Sequence, residues 1–344
     1  MKRIISFLKT DIKIINSYFL FTIVLIILAC IGYSSYALFS FTKTSSNVIE
    51  ATVGELKKSG TDTLIKLTDN TNDSGLYTIT HAADSTLQIG TNESVTEYRY
   101  RGANPKNYVT FNNEVWRIIG IFPTDDGTGN IENRIKIIRN ESIGNKYWNT
   151  TQVSSTSSYN NWTEATLNTE LNGIYLNGLA GEAQSMIGNA KYYLGGGGNN
   201  SNFNSSVDFY SYERKIKNTK SNEFYYGTNP NNWIGKIGLM YVSDYGYASD
   251  NCEIKALNDY NNSNDLRICN NTNWLFNLKK LEATITQYSN TPTSIHYIAD
   301  NGIVISTYQA SLAQTVVRPT LYLKSNVKIT GGTGTSTNPY TLGI

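Results

Sequence analysis

The longest apolar pattern in the chain covers residues 14–41, twenty-eight positions without a charged side chain. At about 1.5 Å of rise per residue a helix of that length exceeds the roughly 30 Å of a bilayer's hydrocarbon core, so it crosses with some tilt. The pattern then turns polar. Residues 42–90 mix Thr, Ser, Asn and Asp with short apolar runs, and residues 64–67 and 76–80 read as strands interrupted by a turn cluster at 69–75. This predicts a spacer with a little β structure, ending near residue 90.

Stronger alternation follows. Residues 114–122 are apolar on both faces, which predicts a central, buried strand. Residues 134–139 form a second run in which Lys136, between Ile135 and Ile137, predicts one wet face. The loop between them is rich in Asp, Gly and Asn, a hairpin signal. It lacks the ligand spacing and distal Glu of an EF-hand loop and reads as a solvated turn.

Helical spacing appears next. Thr163 is a candidate N-cap, and Leu167, Leu171 and Ile174 recur four and three residues apart, predicting one helix over 163–175. A second is expected over 181–194, stopped by a glycine run at 195–198 that reads as flexible loop rather than phosphate loop. Strand-like runs return at 236–242, 274–276, 295–298, 303–305 and 316–323, with a tight-turn signal at Asp300, Asn301 and Gly302. Strands at both ends of a domain with helices between them predict an α+β fold over residues 91–344.

Charge fixes the orientation. Lys2, Arg3, Lys9 and Lys13 against Asp11 place residues 1–13 in the cytoplasm and the C-terminal mass outside the cell. Removing those five from the totals of 29 basic and 27 acidic residues leaves 25 and 26, a balance that offers nothing to nucleic acid. Three fates of the apolar run stay open. It is read first as an uncleaved signal anchor, giving a single-pass cell-membrane protein. Cleavage after Ala37 releases a secreted protein, and lipidation at Cys30 gives a lipoprotein.

Cys252 and Cys269, the only thiols beyond the span, read as one disulfide closing a polar loop, worth about 3 kcal/mol in the chain-entropy model. Neither His81 nor His296 is near them in sequence, so no zinc site is expected. No metal, cofactor or catalytic set emerges: there is no Gly-x-Ser-x-Gly elbow, and spacing singles out no carboxylate pair.

In their order, residues 108–109, 115–120, 147–149, 238–248 and 317–323, with the tail at 331–342, resemble exported proteins of low-GC Gram-positive bacteria. Those proteins carry a C-type lectin-like domain of the branch that includes formylglycine-generating-enzyme-like folds. The resemblance implies a loop-rich domain whose N- and C-terminal strands, here 115–122 and 316–323, pair. It also implies core positions for Trp116 and Trp148, and an Arg318 that pins a loop or carboxylate, with a ligand-binding cation as the alternative. Departures are as informative. The calcium-dependent sugar motif is missing around Pro230 and Trp274, and Cys252 and Cys269 lie in a loop insertion rather than where a redox pair would sit.

The 25 tyrosines supply rigid amphipathic contact area, although an AT-rich genome enriches Tyr, Asn, Ile and Lys without any such role. The expected function is a non-enzymatic cell-surface binding or adhesion module for an extracellular glycan or protein. Its candidate contacts are Trp233, Tyr241, Asp244, Tyr245, Tyr247 and Arg318. The alternatives are an anchored or secreted enzyme on the formylglycine-generating-enzyme-like scaffold and a structural envelope or pilus-like subunit.

Overall fold

The computed structural model describes residues 19–29, 59–150, 159–197, 205–217, 225–260, 262–312 and 314–344. Residues 19–29, inside the apolar run, are helical with exposed side chains. The rest of the expected span, with Cys30 and Ala37, lies outside the described residues. Among those described, no helix is long and apolar enough to cross a membrane.

Residues 58–344 form one compact unit. It is mixed α+β and dominated by antiparallel sheet. The first sheet runs in the order Gly75–His81, Val95–Arg101, Glu114–Asp125, Ile131–Arg139, Thr320–Tyr322, Ile237–Gly238, and Tyr108–Phe111 folds back onto Glu114–Asp125. The second runs Val304–Ile305, Ile295–Ile298, Glu282–Tyr288, Gln314–Val316, Asn145–Tyr147, and Gly196–Gly197 joins Glu282–Tyr288. One hydrophobic cluster draws on both sheets and contains Trp116, Trp148 and Trp162.

The hairpin at 114–139 forms as its pattern requires. Glu114–Asp125 pairs antiparallel with Ile131–Arg139, and residues 118–122 are buried on both faces. In the connecting loop, Asp125 Oδ1 accepts from the N–H groups of Gly127 and Gly129 at 2.8 and 3.0 Å, so the carboxylate shapes a turn. At Gly120 the register shifts, and a Cβ there would stand 2.2 Å from the Tyr98 carbonyl oxygen. Only glycine lets Val95–Arg101 lie this close.

Several expectations are corrected. The chain from Ser59 onward belongs to the compact unit rather than to a spacer, and residues 64–67 are not a strand. Ser59 caps the helix Gly60–Ile65 by accepting from Asp62 N–H at 3.1 Å, and Leu64 is buried. Gly75–His81 is the strand expected there, but it is the edge of the first sheet.

Residues 316–323 do not form one strand. Gln314–Val316 lies in the second sheet and Thr320–Tyr322 in the first, because Pro319 has no N–H for a ladder and Arg318 turns inward between them. Thr320–Tyr322 pairs with Ile131–Arg139, so the part of the C-terminal run in the first sheet is separated from Glu114–Asp125 by that strand instead of pairing with it directly.

Residues 162–176 are not one regular helix. A 3-10 turn at Trp162–Glu164, an α segment at Thr166–Glu170 and a π turn at Leu171–Tyr175 follow one another. The π turn breaks the 3.6-residue spacing, so Leu167 and Leu171 are buried while Ile174 is 83% exposed. The second expected helix ends at Met186, and Ala190–Tyr193 becomes a strand against Asn232–Gly235.

The glycine run after it is packed where it is described. Gly196 lies beside Gln287 in parallel pairing, and a Cβ there would meet the Gln287 carbonyl oxygen at 2.0 Å. Residues 274–276 are a turn, and of the run at 236–242 only Ile237–Gly238 is strand, with residues 239–241 irregular and the helix Val242–Tyr247 beginning at its end. The turn at 300–302 forms as read, with Gly302 at φ +87.

Candidate functional site

A groove of about 880 Å³ opens along the edge strand Gly75–His81. Alternation along a strand puts Tyr77, Ile79 and His81 on one face. Ile79 packs with Leu87, Tyr210 and Tyr247 in a small cluster separate from the main core. Tyr210 comes from the helix Ser206–Glu213, whose start is fixed by a capping box between Ser205 and Asp208. From the helix Val242–Tyr247, Tyr247 reaches in and accepts through its backbone oxygen from the Tyr77 hydroxyl at 3.2 Å. Arg101, lying over the Tyr77 ring at 4.4 Å, and Glu253 also line the groove.

His81 connects this groove to the interior. Its ring stacks on Tyr210 at 3.5 Å with an interplanar angle of 6°, and its Nε2 is 3.0 Å from Glu97 Oε1. Arg99 Nε donates to the same oxygen at 2.5 Å, and Arg99 Nη1 donates to Asp244 Oδ1 at 2.9 Å. Lys136 Nζ donates to Asp244 Oδ2 at 2.5 Å. Four charged side chains thus run in alternating sign from the foot of the groove into the core.

Glu97, Arg99 and Asp244 are buried, and Lys136 is 0% exposed. The expected wet face at Lys136 is therefore absent: its ammonium turns inward because Asp244 and the Tyr241 ring, 4.3 Å away, receive it.

Electrostatics keep the two carboxylates of this chain charged. Burial alone would raise the Glu97 carboxyl, but the Arg99 guanidinium and then His81 outweigh it and hold Glu97 far below the usual carboxylate range. Burial acts on Asp244 in the same direction and is overcome by Lys136 and Arg99. Beside them, Glu213 accepts from Ser243 N–H at 3.2 Å, from the Ser243 and Thr286 hydroxyls at 2.5 and 2.7 Å, and from Arg214 at 3.3 Å. Burial still raises its carboxyl above the ordinary value.

The candidate contacts named from sequence are dispersed. Tyr247 reaches the groove; Tyr241, Asp244, Tyr245 and Arg318 are inside the unit and bound to its own groups, so they present no contact surface. The Tyr241 hydroxyl accepts from Tyr193 N–H at 2.6 Å, and the Tyr245 hydroxyl donates to the Gly302 carbonyl at 2.8 Å. Arg318 clamps Glu282 through two bonds of 2.6 and 2.8 Å and also donates to Asn277 Oδ1 and the Leu275 carbonyl. It is a pin on a carboxylate and a loop. Half-buried Trp233 packs edge-on against Trp162 at 6.1 Å and near Tyr192 at 5.4 Å.

Cys252 and Cys269 are joined, with Cα atoms 6.0 Å apart. Among the described residues, no three His, Cys, Asp or Glu side chains come together as metal ligands.

Sequence reasoning missed His81, Glu97, Arg99, Tyr77 and Tyr210. A signal was present in Glu97, Arg99 and Arg101, charges two residues apart on a strand-like run, which put successive charges on one face. No family model, no curated protein and no solved structure matches the chain.

Proposed function

We propose that this chain is a membrane-anchored recognition module. Residues 14–41 hold it in the bilayer, residues 1–13 stay in the cytoplasm, and the compact unit works outside the cell as a C-type lectin-like domain. Its role is non-enzymatic: binding of an extracellular glycan or protein in cell-surface contact or adhesion. The observation that carries this reading is the groove beside Gly75–His81, an open concavity of about 880 Å³ combining Tyr and His rings with Arg101 and Glu253. Such walls suit ligands with flat apolar faces and hydroxyl or amide edges.

Support for the membrane reading comes from the uncharged run and from the helix at residues 19–29, whose apolar side chains are exposed. The lectin-like reading rests on the order of the sequence motifs and on an α+β unit in which Glu114–Asp125 and one part of the C-terminal run, Thr320–Tyr322, belong to the same sheet. The disulfide fits an oxidising compartment. Protease treatment of intact cells tests the topology, with digestion of the compact unit expected.

For the groove, full-length protein in detergent is probed on glycan and protein arrays beside Val207→Trp. Val207 lines the groove at 44% exposure, so the larger side chain fills the concavity from its rim. Binding by the parent and its loss in Val207→Trp at unchanged Tm is the expected result. No binding by the parent, together with turnover of a small molecule in lysate, overturns the reading. That outcome favours an enzyme, which one observation supports: His81 is held by a carboxylate at the foot of a groove, as a general base is.

A further inference from the structure

Lys136 sits in the middle of Ile131–Arg139, and its Nζ lies 2.5 Å from Asp244 Oδ2, with neither residue more than 2% exposed. At an ordinary hydrogen-bond angle this puts the nitrogen about 3.3 Å from Asp244 Cγ, close enough to bond once the carboxyl turns its face toward it. Two donors flank the carboxyl. Arg99 Nη1 is 2.9 Å from Oδ1, and Tyr241 N–H is 3.0 Å from Oδ2.

The rings of Tyr241 and Tyr322, 4.3 and 5.3 Å from Nζ, keep water from the ammonium. Burial weakens the hold of Lys136 on its proton, against the opposing pull of Asp244. Arg99 stands where negative charge would gather if Cγ became tetrahedral.

We propose that Lys136 and Asp244 condense into an intramolecular isopeptide bond, tying the strand Ile131–Arg139 to the helix Val242–Tyr247. One proton passes from the ammonium to Oδ2, and the freed amine attacks Cγ. The Nζ–Cγ bond forms while Arg99 holds the charge on Oδ1. The Cγ–Oδ2 bond then breaks, and Oδ2 leaves as water with a second proton from the nitrogen. Nothing is oxidised or reduced, and no co-reactant enters. One positive and one negative charge vanish together, so Glu97 with Arg99 and Glu213 with Arg214 remain balanced. The cross-link joins residues 108 apart in sequence, against 17 for the disulfide, and so braces the core of the first sheet where the disulfide closes only a local loop.

Tryptic digestion of the reduced full-length protein followed by mass spectrometry tests this. Cleavage after Lys136 is blocked in the cross-linked chain, so residues 135–139 are expected joined to residues 237–255 in one branched peptide. That peptide weighs one water less than its two parts. Recovery of residues 237–255 only as a linear peptide, with cleavage after Lys136, overturns the proposal. Lys136→Met is expected to give the linear peptide, and because the parent digest decides the matter, the result stands whether or not that variant folds.

Discussion

Arg318 and Glu282 hold each other in a closed clamp, with Asn277 and the Leu275 carbonyl taking the remaining donors, whereas Glu97, Arg99, Asp244 and Lys136 form a chain whose outer end is His81 at the groove. Both sets are buried in the same unit. The clamp joins the second-sheet strand Glu282–Tyr288 to the crossing at residues 317–319, and it fixes loop geometry. The chain joins the first sheet to the helix Val242–Tyr247 and ends on a ring that faces solvent-filled space. Burial alone therefore does not say what a charge does; the group at the end of its network does.

Truncating the chain at its most connected member should have the largest effect. Asp244→Ala leaves Lys136 and Arg99 buried without their shared carboxylate, and the loss should be about 3–5 kcal/mol, read as a fall in the denaturation midpoint. A loss no larger than that of an exposed site such as Ile174→Ala, within about 0.5 kcal/mol, would break the contrast with ordinary surface chemistry.

Acid comes next. Burial pushes His296 down to about 4, although the Gln287 carbonyl at 3.0 Å from Nδ1 pulls the other way. Between the ordinary histidine value and about 4 the unfolded chain binds the extra proton, so stability rises with pH through that window, and acidification removes about 3 kcal/mol. A His296→Gln variant should flatten this slope, leaving the acid loss that begins at the ordinary glutamate value and continues until the folded Glu97 protonates. That remaining loss belongs to the chain, since Glu97 is a depressed carboxylate whose stabilisation is present above its unfolded value.

The clamp should respond in the opposite sense. Arg318→Met strands Glu282, whose carboxyl burial already raises, and near neutral pH the loss should be about 2–3 kcal/mol. A raised carboxyl binds its proton more tightly folded than unfolded, so the variant is steadiest below the unfolded glutamate value and weakens as pH rises through the folded one. Unfolding curves over a pH series, compared with the parent, separate the two networks: acid should relieve Arg318→Met and should not relieve Asp244→Ala.

What the sequence disclosed follows the same division. Local patterns were readable. The hairpin at 114–139 with its buried Trp116, the turn at Gly302 and the disulfide each depend on neighbours a few residues away or on residue type. Distant pairings were not. Lys136 reads as a wet position until Asp244, 108 residues later, is brought to it.

The strand Glu282–Tyr288 carries Glu282, Thr284, Thr286 and Gln287, too polar to show a strand pattern. It is buried because Arg318, the His296 carbonyl, Glu213 and the Leu194 carbonyl take its side chains. The groove assembles Tyr77, Tyr210 and Tyr247 from three separated segments, and no period in the sequence links them.

The smallest effect on folding should come at the outer end of the chain, where it carries most information. His81→Gln removes the ring that stacks on Tyr210, and an amide can still donate to Glu97, so the loss of stability should be about 1 kcal/mol. Glu97 stays paired with Arg99 in this variant, so the core keeps its charges in balance. If the groove is where ligand binds, the same change removes part of its wall, and retention on an array that captures the parent should fall by much more than the small change in Tm accounts for. Equal binding by parent and variant would place the contact surface elsewhere and leave His81 as a stacked plug over the charged chain.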